Sequence, residues 1–262
     1  MNITITNPSK AECFAVLFQH IKLFTEQINI MFEPNRMFIQ ALDSGKVSIF
    51  EIHLPAKWFD SYILTNDQPI TIGLNSSTLF KILNARDKSQ TINMLFSDSD
   101  SETLLLHFSS ENKTIFDKHF EVPLIDIECD TMVIPAFEHQ AEFSITSSNF
   151  ANLINQLKMF GDTMDIQCSE DKIVLSSTSV ESGKMFVDIP IDDLLSFSID
   201  EGEDLNLSFS LSYLHHISMY NKLSKNVELC ISTNYPMKLV YLLDDDADAK
   251  IAFYLAPKVN VD

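Results

Sequence analysis

A segment near the start of this chain returns 136 residues later. Residues 14–24 read FAVLFQHIKLF and residues 150–160 read FANLINQLKMF. Phe14/Phe150, Ala15/Ala151, Leu17/Leu153, Lys22/Lys158 and Phe24/Phe160 share one offset, and the register continues through Ile30/Ile166, Arg36/Lys172 and Ile39/Leu175. Amphipathic patterning would reproduce the apolar matches but not Ala15 or Lys22. An echo this long, ungapped through a helix and the strands behind it, points to two copies of one supersecondary plan. The copies span 1–122 and 137–262, each of ordinary domain size.

Each copy reads as many short strands and two helices. In the first, Ser9-Lys10-Ala11-Glu12 has the capping-box pattern of a helix start. Phe14, Leu17, Phe18 and Ile21 then recur at helical spacing. Strand-like runs follow at 2–6, 28–32, 37–42, 47–54 and 70–74, with turns at Asn35-Arg36 and Ser44-Gly45. A short helix is expected over 76–84, then strands at 91–96, 103–108 and 114–122 around an acidic turn at 97–102. The second copy gives strands at 142–146, 164–168, 173–177, 184–189, 205–209, 227–231, 238–243 and 251–255, with helices at 148–160 and 210–220. The pattern predicts an α+β architecture of antiparallel sheets with helices on one face. Trp58 is expected in or beside the core of the first copy.

The segment 123–136 joins the copies. It has Pro123 and Pro135 near its ends and no glycine. Leu124, Ile125, Ile127, Met132, Val133 and Ile134 are interrupted by Asp126, Glu128 and Asp130. A flexible tether is rich in glycine and serine. This composition predicts an extended strap crossing a surface, gripped by alternate side chains.

The chain has 18 Lys and Arg against 37 Asp and Glu, a net charge of −19, which as a whole repels nucleic acid. The acids are unevenly placed. The windows 13–24, 74–86, 147–161 and 209–222 contain no Asp or Glu, where the chain average would put about seven or eight. The same windows carry His20, Lys22, Lys81, Arg86, Lys158, His215, His216 and Lys222. Neutral-to-basic helices on an acidic body predict a polyanion beside them, held through phosphate contacts that any base sequence satisfies. No aromatic residues interleave with the cations, which argues against stacking on single-stranded bases.

Other chemistries find no support in the residues. The chain has only five glycines, with no G-x-G-x-x-G and no lysine-containing phosphate loop. Cys13, Cys129, Cys168 and Cys230 form no C-x-x-C pair and are expected as core thiols. His215 and His216 are adjacent, so they diverge on a helix and do not chelate as an i, i+4 pair does. The aspartate run 244–246 lacks the spacing and turn glycine of a calcium loop. No nucleophile sits in a recognisable elbow. The expectation is a protein that is not an enzyme, with no catalytic residue, metal or cofactor. The N-terminal MNITITNPSK has no apolar signal region and no apolar run reaches membrane length, so no membrane partner is expected.

Several stretches together carry a resemblance: ALDSGKVS at 41–48, FKIL at 80–83, LIDI at 124–127, Ile134-Pro135, and YLAPK at 254–258. Over essentially its whole length the chain resembles the proliferating cell nuclear antigen family of DNA sliding clamps. The resemblance implies a DNA clamp fold of two repeated domains joined by an interdomain connector. It further implies a homotrimeric ring with helices lining the hole, encircling duplex DNA without sequence preference. Such a ring tethers DNA polymerase and replication and repair proteins as a processivity factor; a clamp loader is an implied partner. Lys22 and Lys81 match inward lysines of the family, while other inward basic positions are Ala15, Asn152, Asn155, Ser212 and Met219 here. Arg86, Lys158, His20, His216 and Lys222 complete the expected DNA-facing set. Clamp-binding peptides would dock on Leu42, Val47, Ile127, Met132, Ile134, Pro236, Tyr254 and Pro257, an apolar cup beside a strand edge. Ring closure would pair 114–122 of one subunit with 184–189 of the next. Val133 replaces a glycine usual in the family, and Glu170 replaces a lysine that members modify with ubiquitin. The implied location is the nucleus, with a viral replication site in a host cell as the alternative. A subunit of a heteromeric checkpoint or repair clamp, or a non-trimeric clamp, is the alternative assembly.

Overall fold

Strands alternate and helices carry an apolar stripe as the patterning requires, and the result is one topology built twice. A computed structural model describes residues 1–65, 68–97, 100–128, 131–243 and 247–258, without the side chains of 100 and 101. Cys129, Asp130 and the aspartate run 244–246 lie outside the described residues. The chain divides into two units. The first comprises Met1–Ser44, Glu51–Met132 and Asp246–Lys250; the second comprises Gly45–Phe50, Val133–Asp245 and Ile251–Asp262.

The first copy runs β1 (Asn2–Ile5), α1 (Pro8–Ile21), β2 (Gln27–Glu33), β3 (Arg36–Leu42), β4 (Ser48–Pro55), β5 (Ser61–Ile63), β6 (Ile70–Asn75), α2 (Ser76–Leu83), β7 (Thr91–Ser97), β8 (Asp100–Ser109) and β9 (Lys118–Pro123). Its strands order as β5-β1-β7-β8-β9 and β4-β3-β2-β6. The second runs β10 (Ala141–Thr146), α3 (Ser147–Leu157), β11 (Thr163–Cys168), β12 (Lys172–Ser179), β13 (Gly183–Pro190), β14 (Ser196–Ile199), β15 (Leu205–Ser210), α4 (Leu211–Ser218), β16 (Asn226–Ile231), β17 (Met237–Leu242) and β18 (Lys250–Leu255). Its strands order as β14-β10-β16-β17-β18 and β13-β12-β11-β15. Every strand of the second copy takes the place of the strand nine before it, so the repeat read at 14–24 and 150–160 extends to the topology. The fold is α+β, mostly antiparallel sheet with four described α-helices.

Each unit buries its helix stripes against its own strands. In the first, Ala11, Phe14, Leu17, Phe18 and Ile21 of α1 are buried, as are Ile28, Ile30 and Phe32 of β2. In the second, Phe150, Ala151, Ile154 and Leu157 of α3 are buried. Each of the Leu, Ile and Phe side chains among these contributes about 1.5–3 kcal/mol when taken out of water. Helix α1 packs beside α2, and α3 beside α4. Trp58 is 2% exposed, and Lys10 Nζ donates to its carbonyl at 2.8 Å while lying 5.4 Å from its ring centre.

Local chemistry moved several boundaries. Helix α1 starts at Pro8, not at Ser9: Asn7 Oδ1 accepts from the amides of Ser9 at 2.9 Å and Lys10 at 3.2 Å, and Pro8 suits the first turn. The helix therefore contains Glu12, which turns toward Arg86 instead of closing a capping box. Strand β9 begins at Lys118, not at 114, because Asn112 Oδ1 captures both the amide and the hydroxyl of Thr114 in a turn. The short strands β5 and β14 were not foreseen; each ends a sheet. No described helix is long and apolar enough to cross a membrane.

Candidate nucleic-acid interface and connector

The basic residues expected to face DNA gather at the helix pairs, with one exception. In the first unit Lys22 and Lys81 are exposed and His20 is half-buried. Lys22 Nζ lies 5.4 Å from the Phe80 ring centre, which brings the end of α1 beside α2. Arg86 departs from the expectation. Its side chain is 2% exposed; Nη1 donates to the carbonyls of Asp87, Lys88 and Gln90, and Nη2 contacts the Glu12 carboxylate at 3.0 Å. The guanidinium holds the loop after α2 and cancels the one acid within the described α-helices, so it does not face an outside polyanion.

In the second unit Lys158 and Lys222 are exposed and His215 and His216 half-buried. His215 Nδ1 lies 2.9 Å from Asn155 Oδ1. Burial, then Lys158, lowers the pKa of His215; burial, His215 and Lys158 lower that of His216. Both rings are neutral at pH 7. The exposed face of α3 is Ser148, Asn149, Asn152, Asn155 and Gln156. It offers hydroxyls and amides, with Lys158 at its end.

The strap expected across a surface is gripped by the first unit as far as Met132. The Leu124 amide donates to the Glu102 carbonyl at 2.9 Å, and the Ile125 amide to Gly73 at 2.9 Å. Asn29 Nδ2 donates to the Ile127 carbonyl at 3.0 Å. Gln40, 7% exposed, acts as a strand partner made from a side chain: Nε2 donates to the Met132 carbonyl at 2.8 Å and Oε1 accepts from the Met132 amide at 2.6 Å. The same Nε2 lies 2.9 Å from Glu51 Oε1, and Glu51 in turn lies 3.2 Å from His53 Nε2. Gly73 admits this close approach. A Cβ there would collide with the Ile125 carbonyl oxygen and meet the Ile127 side chain at 3.1 Å.

The residues expected to receive partner peptides divide between the units. Leu42, Ile127 and Met132 belong to the first; Val47, Ile134, Pro236, Tyr254 and Pro257 belong to the second. All are at least partly exposed, and Met132 is 39% exposed. Within the second unit the Ala256 amide donates to the Val47 carbonyl at 3.0 Å, and the Lys258 amide to Ser208 at 2.7 Å, which fixes the tail carrying Tyr254 and Pro257. Phe137 stacks on Tyr235, centroids 4.2 Å apart, beside Pro236. Apart from Arg86 and Gln40, the grouping that residue patterns did not reveal is His139, Glu142 and Cys230. Cys230 is 1% exposed, as expected of a core thiol, yet it shares its side of β16 with the exposed Asn226 and Glu228. The alternation Asn226, Glu228, Cys230 was its only signal.

Comparison with known proteins places these features. The family model of the proliferating cell nuclear antigen N-terminal domain matches residues 7–132, and that of the C-terminal domain matches 133–258. The proliferating cell nuclear antigen of Chaetomium thermophilum is 26% identical over 249 residues, covering 92% of this chain and 93% of that protein. Two copies of one topology, helix pairs nearly free of acid, and family matches running end to end lead to one conclusion: the chain belongs to the proliferating cell nuclear antigen family of DNA sliding clamps, which are not enzymes.

Proposed function

We propose that this protein closes into a homotrimeric ring that encircles duplex DNA and tethers DNA polymerase and other replication and repair proteins. One observation carries this reading. In a chain of net charge −19, the described α-helices hold a single acid, Glu12, and Arg86 neutralises it. Such segregation matches a polyanion held close without sequence preference, where topology retains the ring and individual contacts stay weak.

Ring closure would use the strands that end their sheets. Strand β9 ends one sheet of the first unit and β13 one of the second. Exposed apolar residues accompany them: Phe116 at 83%, Val180 at 104% and Phe186 at 63%. An unpaired apolar edge associates with another chain. The proposed pairing is β9 of one subunit with β13 of the next. Partner peptides and the clamp loader would meet the connector and the residues around it. The proposed place of action is the nucleus, or a viral replication site in a host cell.

Sedimentation of the purified protein, followed by polymerase run length with and without it, tests the proposal. A mass near three chains and longer runs are expected. A monomer at micromolar concentration overturns the homotrimer; a ring that forms only with a different chain favours a heteromeric checkpoint or repair clamp.

The neutral histidines give a further expected result. Burial and neighbouring positive charge hold the pKa values of His215 and His216 below the ordinary one near 6.5, so both gain charge only below the pH at which a free histidine would. DNA retention should strengthen from pH 7.5 to pH 5.5, and the salt dependence should steepen by about one counterion per added charge. Replacing both histidines with glutamine should flatten the pH dependence and leave retention at pH 7.5 unchanged.

A further inference from the structure

We propose that His139, Glu142 and Cys230, joined by Glu228, form a zinc-binding site on the outward face of the second unit. Strand register assembles it. Glu142 of β10 lies directly across from Cys230 of β16, and Glu228 is two residues before Cys230 on the same side. His139 precedes β10, held there by the Gln140 amide donating to Ser232 Oγ at 2.9 Å and the Thr233 amide to Gln140 Oε1 at 2.6 Å.

One donor atom each from His139, Glu142 and Cys230 lies within 4.8 Å of the others. Cys230 Sγ is 3.6 Å from Glu228 Oε1. Tetrahedral zinc, with its ordinary bond lengths, would separate a sulfur and a carboxylate oxygen by about 3.5 Å. The exposed Glu142 side chain can close the remaining gap. A second observation also points to a ligand: His139 Nδ1 is buried and has no hydrogen-bond partner among the described residues.

Thiolate, imidazole and carboxylate together select zinc over magnesium or calcium, which take oxygen ligands. The charges also balance. Zinc, a thiolate, two carboxylates and the neighbouring Lys238 ammonium, across from Cys230 on β17, sum to zero. Zinc takes the sulfur as thiolate, so a ligating Cys230 must lose its proton. Binding therefore sends the thiol proton to solvent as sulfur bonds to the metal, and affinity should rise with pH. The site would staple residue 139 to two strands and hold the chain where it enters the second unit.

Titration of the full-length protein with cobalt(II) tests this. One equivalent should give a near-ultraviolet sulfur-to-cobalt charge-transfer band, which Cys230→Ser abolishes and Cys168→Ser retains. Calorimetry with zinc, in buffers of different ionisation enthalpy, should show one proton released per metal. Glu142→Gln alters an exposed side chain and leaves the fold intact; it should weaken zinc binding roughly tenfold or more. A wild-type protein without the band, a band surviving in Cys230→Ser, or unchanged zinc affinity in Glu142→Gln overturns the site.

Discussion

Phe186→Glu is expected to convert the proposed ring into monomers. Phe186 is 63% exposed on β13, an end strand whose residues are all at least partly exposed. Covering such a ring yields about 1.5–3 kcal/mol. A carboxylate in its place, buried without a partner, costs several kcal/mol more. Every 1.4 kcal/mol is a factor of ten, so association should weaken by about a hundredfold or more. Sedimentation should then give the mass of one chain, and polymerase run length should fall to its value without the protein. Thermal stability of the isolated chain should shift by no more than about 0.5 kcal/mol, as for other surface changes. Phe186→Leu should keep the ring. An unchanged mass for Phe186→Glu would remove β13 from the interface.

Gly73→Ala is expected to lift the connector off the first unit. The added methyl has no room beside the Ile125 carbonyl, and the flanking Ile127 side chain sits at 3.1 Å. Relief requires the strap to move, which breaks the hydrogen bond from the Ile125 amide to Gly73. Overpacking of this kind costs about 1–3 kcal/mol. Hydrogen exchange at Ile125 should accelerate at least about tenfold, and proteases should cut within the strap. Clamp-binding peptides, which on the proposed reading use Ile127 and Met132, should bind correspondingly less tightly. Gln40→Ala should release the Met132 end and leave the Ile125 amide protected. Retained protection of Ile125 in Gly73→Ala would show that the strap tolerates the methyl.

Much of the fold was legible because its signals are local and doubled. Helical spacing at 14–21 returned at 150–157, so each copy corroborated the other. Strands β5 and β14, of three and four residues, carry few alternations and were missed. The start of α1 went to Ser9 because S-x-x-E is a familiar pattern; an asparagine followed by proline caps the helix two residues earlier, through the amides of Ser9 and Lys10. Arg86 illustrates a deeper limit. A cation at a helix end reads as surface until the loop it organises is seen wrapped around it. Gln40 and Cys230 were hidden for a related reason: their partners, Met132 and Glu142, are 92 and 88 residues away in the chain, brought close by the path of the strap in one case and by sheet register in the other.

The amide-bearing face of α3 sets how the protein would travel. Asparagine and glutamine grip a phosphate less firmly than lysine does, and their weak bonds can be exchanged one at a time. On the proposed reading, displacement along the duplex would then meet shallow barriers in place of deep wells. Friction would fall, and a change in ionic strength would alter speed less than it would with a cationic rail.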